Sequence, residues 1–276
     1  MLNNKAIAFI GSGVMAEAMI KGLLRQGKVS PERITASGPR PERGQQLFDR
    51  YGVRTTTDNV EATTDADIVA LTVKPQVLCR VLEELGDYVP SEALVLSIVA
   101  GAKMETVEKM LGTPSVVRVM PNTPAQLGMG ISVWAATEEV TEEQRGQALS
   151  ILLAFGEEQY VDDESYLDMA TALSGTGPAY IFLLMEAMVD AGVHLGFSRH
   201  VSERLVIETL RGSVEYARQS PKHLAALRNQ VTSPGGTSAE AIYHLEKGGL
   251  RTVLSRAIWA AYQRSRTLGN QAQRGE

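Results

Sequence analysis

A strand-like run, Lys5-Ala-Ile-Ala-Phe-Ile10, ends at Gly11-Ser-Gly13-Val-Met-Ala16, and a helix-like stretch, Met15 to Gln26, follows at once. No other feature narrows the fold as much. The spacing is G-x-G-x-x-A, the turn that leads from the first strand of a doubly wound sheet into its first helix. Gly11 permits the tight turn, Gly13 lets an anion approach the backbone, and Ala16 lets helix lie close on strand. The exposed amides and the dipole at the helix start neutralise phosphate charge. Ile10, Gly11, Ser12, Gly13, Val14 and Met15 are therefore expected to hold a dinucleotide. Short glycine patterns also occur as plain turns; here the strand–turn–helix setting favours the nucleotide.

The chain continues in the same rhythm. Ile34 to Ser37, Asp67 to Val73, Ala93 to Val99 and Ser115 to Met120 read as further strands. Glu42 to Tyr51, Gln76 to Leu85 and Met104 to Leu111 read as helices between them. Strands separated by helices of this length imply βαβ units and a mostly parallel sheet. Gly130 to Ala135 and Glu158 to Val161 add edge strands around a helix from Thr141 to Phe155, which opens on a capping pair, Thr141 and Gln144. From Glu164 onward no strand pattern remains. Tyr180 to Ala191, Ser202 to Gln219, Ser238 to Glu246 and Leu250 to Arg266 read as helices, with a polar, frayed tail after Leu268. The expectation is an α/β chain: a Rossmann dinucleotide-binding domain over 1–163 and an all-helical domain over 164–276. The Tyr180 helix is apolar on nearly every face. It needs cover on both sides, from the first domain or, as we expect, from a second copy of the chain.

Composition excludes several classes. Apolar residues form 44% of 276, enough for a core. Lys and Arg total 27 against 32 Asp and Glu, a charge of −5 that does not favour a general nucleic-acid binder. No uninterrupted apolar run reaches about 18 residues, so no membrane span is expected. The first residues lack a secretory leader pattern. The single Cys79 excludes a disulfide framework and a thiolate metal cluster, and suits a reducing compartment, the cytoplasm. No histidine pair has metal-ligand spacing, so no metal is expected.

The second strand bears on cofactor choice. An NAD site places a carboxylate at its tip; here the tip reads Ser37-Gly-Pro-Arg40-Pro-Glu-Arg43. Ser37 can donate to a 2′-phosphate and Arg40 can pair with it, which favours NADPH and leaves NADH as the second choice. The plain reading of Arg40 and Arg43 is a solvated loop and first helical turn. Val73, Lys74 and Pro75 leave the third strand where ligands lie in such sheets. Ala100, and Asn122 between two prolines, do the same at later strand ends. Asn59 either reaches the adenosine ribose or caps a short helix.

With these segments in place, the chain resembles the pyrroline-5-carboxylate reductases over essentially its whole length. The likeness is carried by Gly11 to Ala16, Val73-Lys-Pro-Gln76, Met120-Pro-Asn-Thr-Pro124, Leu173-Ser-Gly-Thr-Gly-Pro-Ala-Tyr180 and Val231-Thr-Ser-Pro-Gly-Gly-Thr-Ser238. The last two, in that order, are the specific ones. The resemblance implies an enzyme that reduces the cyclic imine L-1-pyrroline-5-carboxylate to L-proline, in proline synthesis, with NADPH or NADH. It also implies a helical domain interlocked with a partner subunit, and a decamer of five dimers.

Physically, Pro234-Gly235-Gly236 is either a carboxylate trap of inward amides ahead of a helix or an ordinary interhelical turn. The resemblance assigns Ser233, Gly235, Gly236, Thr237 and Ser238 to the substrate. Ser238, where the family usually has threonine, is then the catalytic hydroxyl that orients the imine nitrogen, unless it merely caps the helix behind it. Glu164 and Asp168 match acidic positions and are either neighbours of the iminium or the first turn of a helix; Glu164 is placed with the substrate residues. Two departures stand out. Gln219-Ser-Pro-Lys-His223 lacks a carboxylate the family often carries, and Asn229 stands where Asp is frequent. A β-hydroxyacid or 6-phosphogluconate type dehydrogenase shares the two-domain plan, but Tyr180 to Ala191 lacks the catalytic lysine of that class. A non-catalytic nucleotide sensor is disfavoured by the complete substrate-like loop.

Overall fold

The computed structural model describes Leu2 and residues 4–274, with side chains through Leu268; Met1, Asn3, Gly275 and Glu276, which include the ends of the two expected spans, lie outside it. In chain order the first elements are β1 (Ile7–Ile10), α1 (Val14–Arg25), β2 (Ile34–Ser37), α2 (Pro41–Tyr51), β3 (Arg54–Thr56), α3 (Asn59–Thr63), β4 (Ile68–Leu71) and α4 (Leu78–Leu85). They continue with β5 (Leu94–Ser97), α5 (Met104–Leu111), β6 (Val116–Met120), β7 (Gly130–Ala136), α6 (Glu142–Leu152) and β8 (Gly156–Tyr160). The strands form one sheet in the order β3-β2-β1-β4-β5-β6-β7-β8. Neighbours run parallel except β6 and β7.

The near-continuous apolar runs have their reason in two cores. Ile7 and Phe9 pack with Met19, Ile20 and Leu23 of α1. Ala8 and Ile10, pointing the other way, pack with Leu78, Val81, Leu82 and Leu85 of α4. Every position of β1 is buried, as a parallel sheet covered on both faces requires. The capping pair forms reciprocally: Gln144 N donates to Thr141 Oγ1 at 3.2 Å and Thr141 N to Gln144 Oε1 at 3.0 Å. β3 was not expected; it is three residues long, polar, and lies at the sheet edge.

The chain divides into two compact units, 1–177 with 261–276, and 178–260. Residues 164–177 thus pack with the first unit, where a buried charge ties them to the sheet. Arg118 on β6 is 5% exposed. It donates to Glu164 Oε1 at 2.8 Å and to Asp168 Oδ1 at 3.5 Å. Glu164 also accepts from Met104 N at the start of α5, at 2.8 Å. These bonds hold α7 (Tyr166–Ala170) and the π-helical turn Thr171–Gly175 in the first unit. The last helix, which we label α12 (Leu250–Arg274), overruns its expected end at Arg266, and the stretch expected to fray stays helical through Arg274. Ser265 donates to Asp168 Oδ1 at 2.9 Å. Gly269 approaches so closely that a Cβ on Gly101 would meet its backbone at 2.8 Å.

The second unit contains α8 (Gly177–His194, from Pro178), α9 (Arg199–Gln219), α10 (Leu224–Gln230), α11 (Thr237–Lys247) and the first part of α12. Within 178–260 the buried residues are Val189, Ser202, Val206 and Leu227. Helices α8 and α9 cross closely where Gly192 meets Ser202, whose Oγ would lie 2.7 Å from an added Cβ. Ile181, Phe182, Leu183 and Leu184 of α8 are exposed in the single chain. The run Tyr166–His194 is long and apolar enough to cross a membrane by length and composition alone, with an 18-residue stretch inside it of mean hydropathy 1.3, although Asp168, Glu186 and Asp190 interrupt its sequence. The short helix α10 was also not expected; His223 caps it, its Nδ1 accepting from Ala225 N at 3.1 Å.

Candidate active site

The register aligns the strand ends: Ile10 lies beside Ser37 and Leu71, and Leu71 beside Ser97. Strand order reverses between β1 and β4, and a doubly wound sheet holds its ligand beyond the carboxyl ends at that reversal. Gly11 has φ +105, a conformation that disfavours a side chain, and an added Cβ would come within 2.9 Å of the Thr72 carbonyl. Thr72 Oγ1 donates to Gly11 O at 2.7 Å and fastens the turn. Gly13 is the N-cap of α1, and the space where its Cβ would stand is open to 4 Å. Gly13 and Val14 are exposed, Met15 half-buried, Ser12 and Ala16 buried. Ile10 is buried, so it can meet a ligand only through its main chain. An open cradle with first-turn amides lacking intrahelical acceptors fits a dinucleotide pyrophosphate.

The remaining expected cofactor residues leave the same sheet edge. Val73 and Pro75 are half-buried, and Lys74 is exposed before the 3₁₀ turn Pro75–Val77. Ala100 is half-buried beyond β5. Asn122 sits beyond β6, but its side chain is occupied: Oδ1 accepts from Ile131 N at 3.0 Å and Nδ2 donates to Ser174 O at 3.3 Å. Its side chain therefore braces the loop that leaves β6.

At the tip of β2 the expectation for Ser37 is corrected. Its side chain is fully buried and its hydroxyl donates to Asn59 Oδ1 at 2.7 Å, so it has no surface to offer a phosphate. Asn59 is not a cap either. Asp58 caps α3, accepting from Val60 N at 2.8 Å and Glu61 N at 3.1 Å. Asn59 Nδ2 donates to Glu84 at 3.0 Å. Arg40, the N-cap of α2, is exposed; its carbonyl accepts from Arg43 N and Gly44 N, and its guanidinium makes no bond among the described residues. Arg43 is not solvated: Nε donates to Ser12 O at 2.9 Å and Nη2 pairs with Glu17. Burial alone would raise the Glu17 carboxyl, but hydrogen bonds from Arg43, Tyr51 and Arg50 outweigh it and hold the group below the ordinary carboxylate range. Sequence reasoning missed Arg43 and Thr72; opposite charges in the first turns of α1 and α2 were the available signal.

In the helical unit, Gly236 N donates to Ser233 O at 3.0 Å and Gly235 has φ +71. With Pro234 before Gly235, this is the pattern of a type II turn. Gly236 spends its amide inside the turn, which corrects its expected role as an inward donor. Gly236 is also the N-cap of α11, without a side-chain cap. Ser238 is consequently the second helical residue, half-buried, and the reading of it as the cap is overturned. The amides of Gly235, Thr237 and Ser238 have no recorded acceptor among the described residues, and they remain available for an anion. Glu164 Oε1 is tied to Arg118 and to Met104 N in the first unit, so its charge already has a partner within the chain.

Residues 164–268 match the family model described as pyrroline-5-carboxylate reductase dimerisation, and residues 6–101 match that described as NADP oxidoreductase, coenzyme F420-dependent. A pyrroline-5-carboxylate reductase from Pseudomonas aeruginosa is 42% identical over 271 residues, 98% of this chain and 99% of that protein. The solved pyrroline-5-carboxylate reductase of Coxiella burnetii superposes with a TM-score of 0.89 at 38% identity, covering 96% of this chain and 99% of that one. The Plasmodium falciparum pyrroline carboxylate reductase, solved with NADP bound, gives 0.89 at 31% identity over 98% of this chain and 100% of that one.

Proposed function

The chain belongs to the pyrroline-5-carboxylate reductase family, and from that membership we infer how its own residues share the work. It is an NAD(P)H-dependent oxidoreductase that reduces L-1-pyrroline-5-carboxylate to L-proline, in proline biosynthesis, as a homodimer. The observation that carries the reading is the likeness over 98% of the chain, with the glycine turn and the Pro-Gly-Gly turn both formed. The dinucleotide, when bound, supplies the hydride that goes to the imine carbon. The residues of the chain do the rest. The Gly13–Met15 amides hold the pyrophosphate. The amides of Gly235 and Thr237 hold the substrate carboxylate, beside Ser233. The Ser238 hydroxyl orients the imine nitrogen and keeps its proton directed, which makes the neighbouring carbon more electrophilic. Turnover of pyrroline-5-carboxylate, against β-hydroxyacids and 6-phosphogluconate at fixed NADPH, tests the assignment; turnover of a hydroxyacid and not of the imine would sink it.

NADPH is the favoured cofactor in this reading, because the β2 tip lacks a carboxylate and the exposed Arg40 guanidinium is unspent. Lys74 and Asn59 stand as ribose neighbours. Arg40→Ala should raise the NADPH KM about 10-fold and leave NADH nearly unchanged, the loss of one charge-assisted contact of roughly 1.5 kcal/mol. Equal effects on the two cofactors would refute the assignment.

The dimer forms through the helical unit. A set of helices that buries so few residues alone cannot be stable as a monomer. Leu184→Glu, on the exposed apolar face of α8, should give monomers or aggregates in sedimentation, and an intact dimer would overturn this placement. Membership of the family extends the reading to five dimers in a ring, and the single cysteine to the cytoplasm.

A further inference from the structure

Arg43 lies three positions past Arg40, yet its surroundings are different. Its side chain is 15% exposed, that of Glu17 19%. All three guanidinium nitrogens are engaged: Nε on Ser12 O at 2.9 Å, Nη1 on Gln46 Oε1 at 3.3 Å, and Nη2 on Glu17. Glu17 is held in turn by Tyr51 Oη at 2.9 Å and Arg50 at 3.0 Å. Three of the five Arg43 N–H donors are spent inside the protein, and Nε grips one carbonyl in the middle of the glycine turn.

That carbonyl belongs to the peptide linking Ser12 to Gly13. In a planar trans peptide the C=O of one residue and the N–H of the next point in opposite directions. Fixing Ser12 O toward Arg43 therefore fixes the Gly13 N–H away from it. Gly13 needs such an anchor. It has no Cβ, nothing lies within 4 Å of where one would stand, and its amide has no acceptor among the described residues. Glu17, whose own amide bonds to Gly13 O at 3.0 Å, brings a negative charge next to the phosphate cradle, which the half-buried Arg43 and the more exposed Arg50 offset together.

We propose that Arg43 is a positioning residue for the cofactor, holding the Ser12 carbonyl so that the Gly13 amide stays aimed at the pyrophosphate. The inference rests on the reading that this turn holds the pyrophosphate. Because NADPH and NADH share that group, the effect is blind to the 2′-phosphate, unlike that of Arg40.

The test measures KM for both cofactors, kcat at saturation, and inhibition by ADP, which has a pyrophosphate but neither nicotinamide nor 2′-phosphate. Arg43→Met should raise the NADPH KM, the NADH KM and the ADP inhibition constant about 10-fold each, with kcat within about 2-fold of wild type, the loss of one charge-assisted anchor. Arg43→Lys, which restores the charge but not the fork, should lie between. Glu17→Gln, which keeps an acceptor for Arg43, should leave both KM values unchanged or lower. A rise for NADPH alone would make Arg43 a direct phosphate ligand and overturn the proposal. So would a 10-fold rise in Glu17→Gln, or a lower melting temperature with unchanged KM values. ADP failing to inhibit the wild type would instead overturn the reading of the turn itself.

Discussion

Ser238→Ala is expected to cut kcat/KM for pyrroline-5-carboxylate about 10- to 100-fold, the worth of a hydrogen bond near a charged centre, roughly 1.5 to 3 kcal/mol. NADPH affinity should hardly change, since the expected cofactor residues lie in the sheet unit. The fold removes the competing explanation. Gly236 is the cap of α11, and Ser238 is inside its first turn with no recorded side-chain bond among the described residues. Alanine is at least as good a helix former as serine there, so the melting temperature should hold or rise slightly. Ser238→Thr should keep most activity. Unchanged kcat/KM in the alanine variant would return the nitrogen contact to Thr237 or to a bound water.

Arg118→Met should cost about 3 kcal/mol of unfolding free energy, measured by denaturant titration at neutral pH. Removing one partner of a buried ion pair leaves the other charge uncompensated, typically at 3–5 kcal/mol. Glu164 and Asp168 keep 24% and 23% side-chain exposure, which places the loss at the lower end. Two further bonds weaken with it, to Met104 N and to Ser265. The folded fraction should retain its kcat/KM within about 2-fold, because none of these groups touches substrate in the reading above. A loss below about 1 kcal/mol would show the cluster to be worth no more than an exposed pair.

These two sites also mark what the sequence could reveal. The glycine turn is legible because its demands are local: a positive φ at Gly11, a close neighbour in Thr72, an open space at Gly13. The apolar runs of β1 and β4 and the Thr141 capping pair are legible for the same reason. The ion cluster is not, because its members stand 46, 50 and 97 positions apart and only packing joins them. Carboxylates beside a family segment suggested chemistry, and the structure shows them neutralising a buried arginine. The available sign was Arg118 itself, one charge in the apolar strand Val116–Met120, since a buried charge needs a partner somewhere. β3 and α10 escaped because three polar residues, or seven of mixed character, carry too little periodicity. The start of α11 was placed one residue late, at Ser238 rather than Thr237, because serine opens helices more often than glycine caps them.

The first unit is finished by the segment that is made last. At about 5–20 residues per second, synthesis of residues 178–260 takes roughly 4–17 s after Gly177 has been added. Throughout that interval Asp168 lacks its Ser265 hydroxyl, and the Gly101 backbone lacks the Gly269 surface that closes over it. Chains arrested at Ala260 should accordingly be cut by protease in the first unit faster than released chains. A ribosome that stalls anywhere in the helical insertion holds a sheet domain whose strands have all been made and whose last seal is still unwritten.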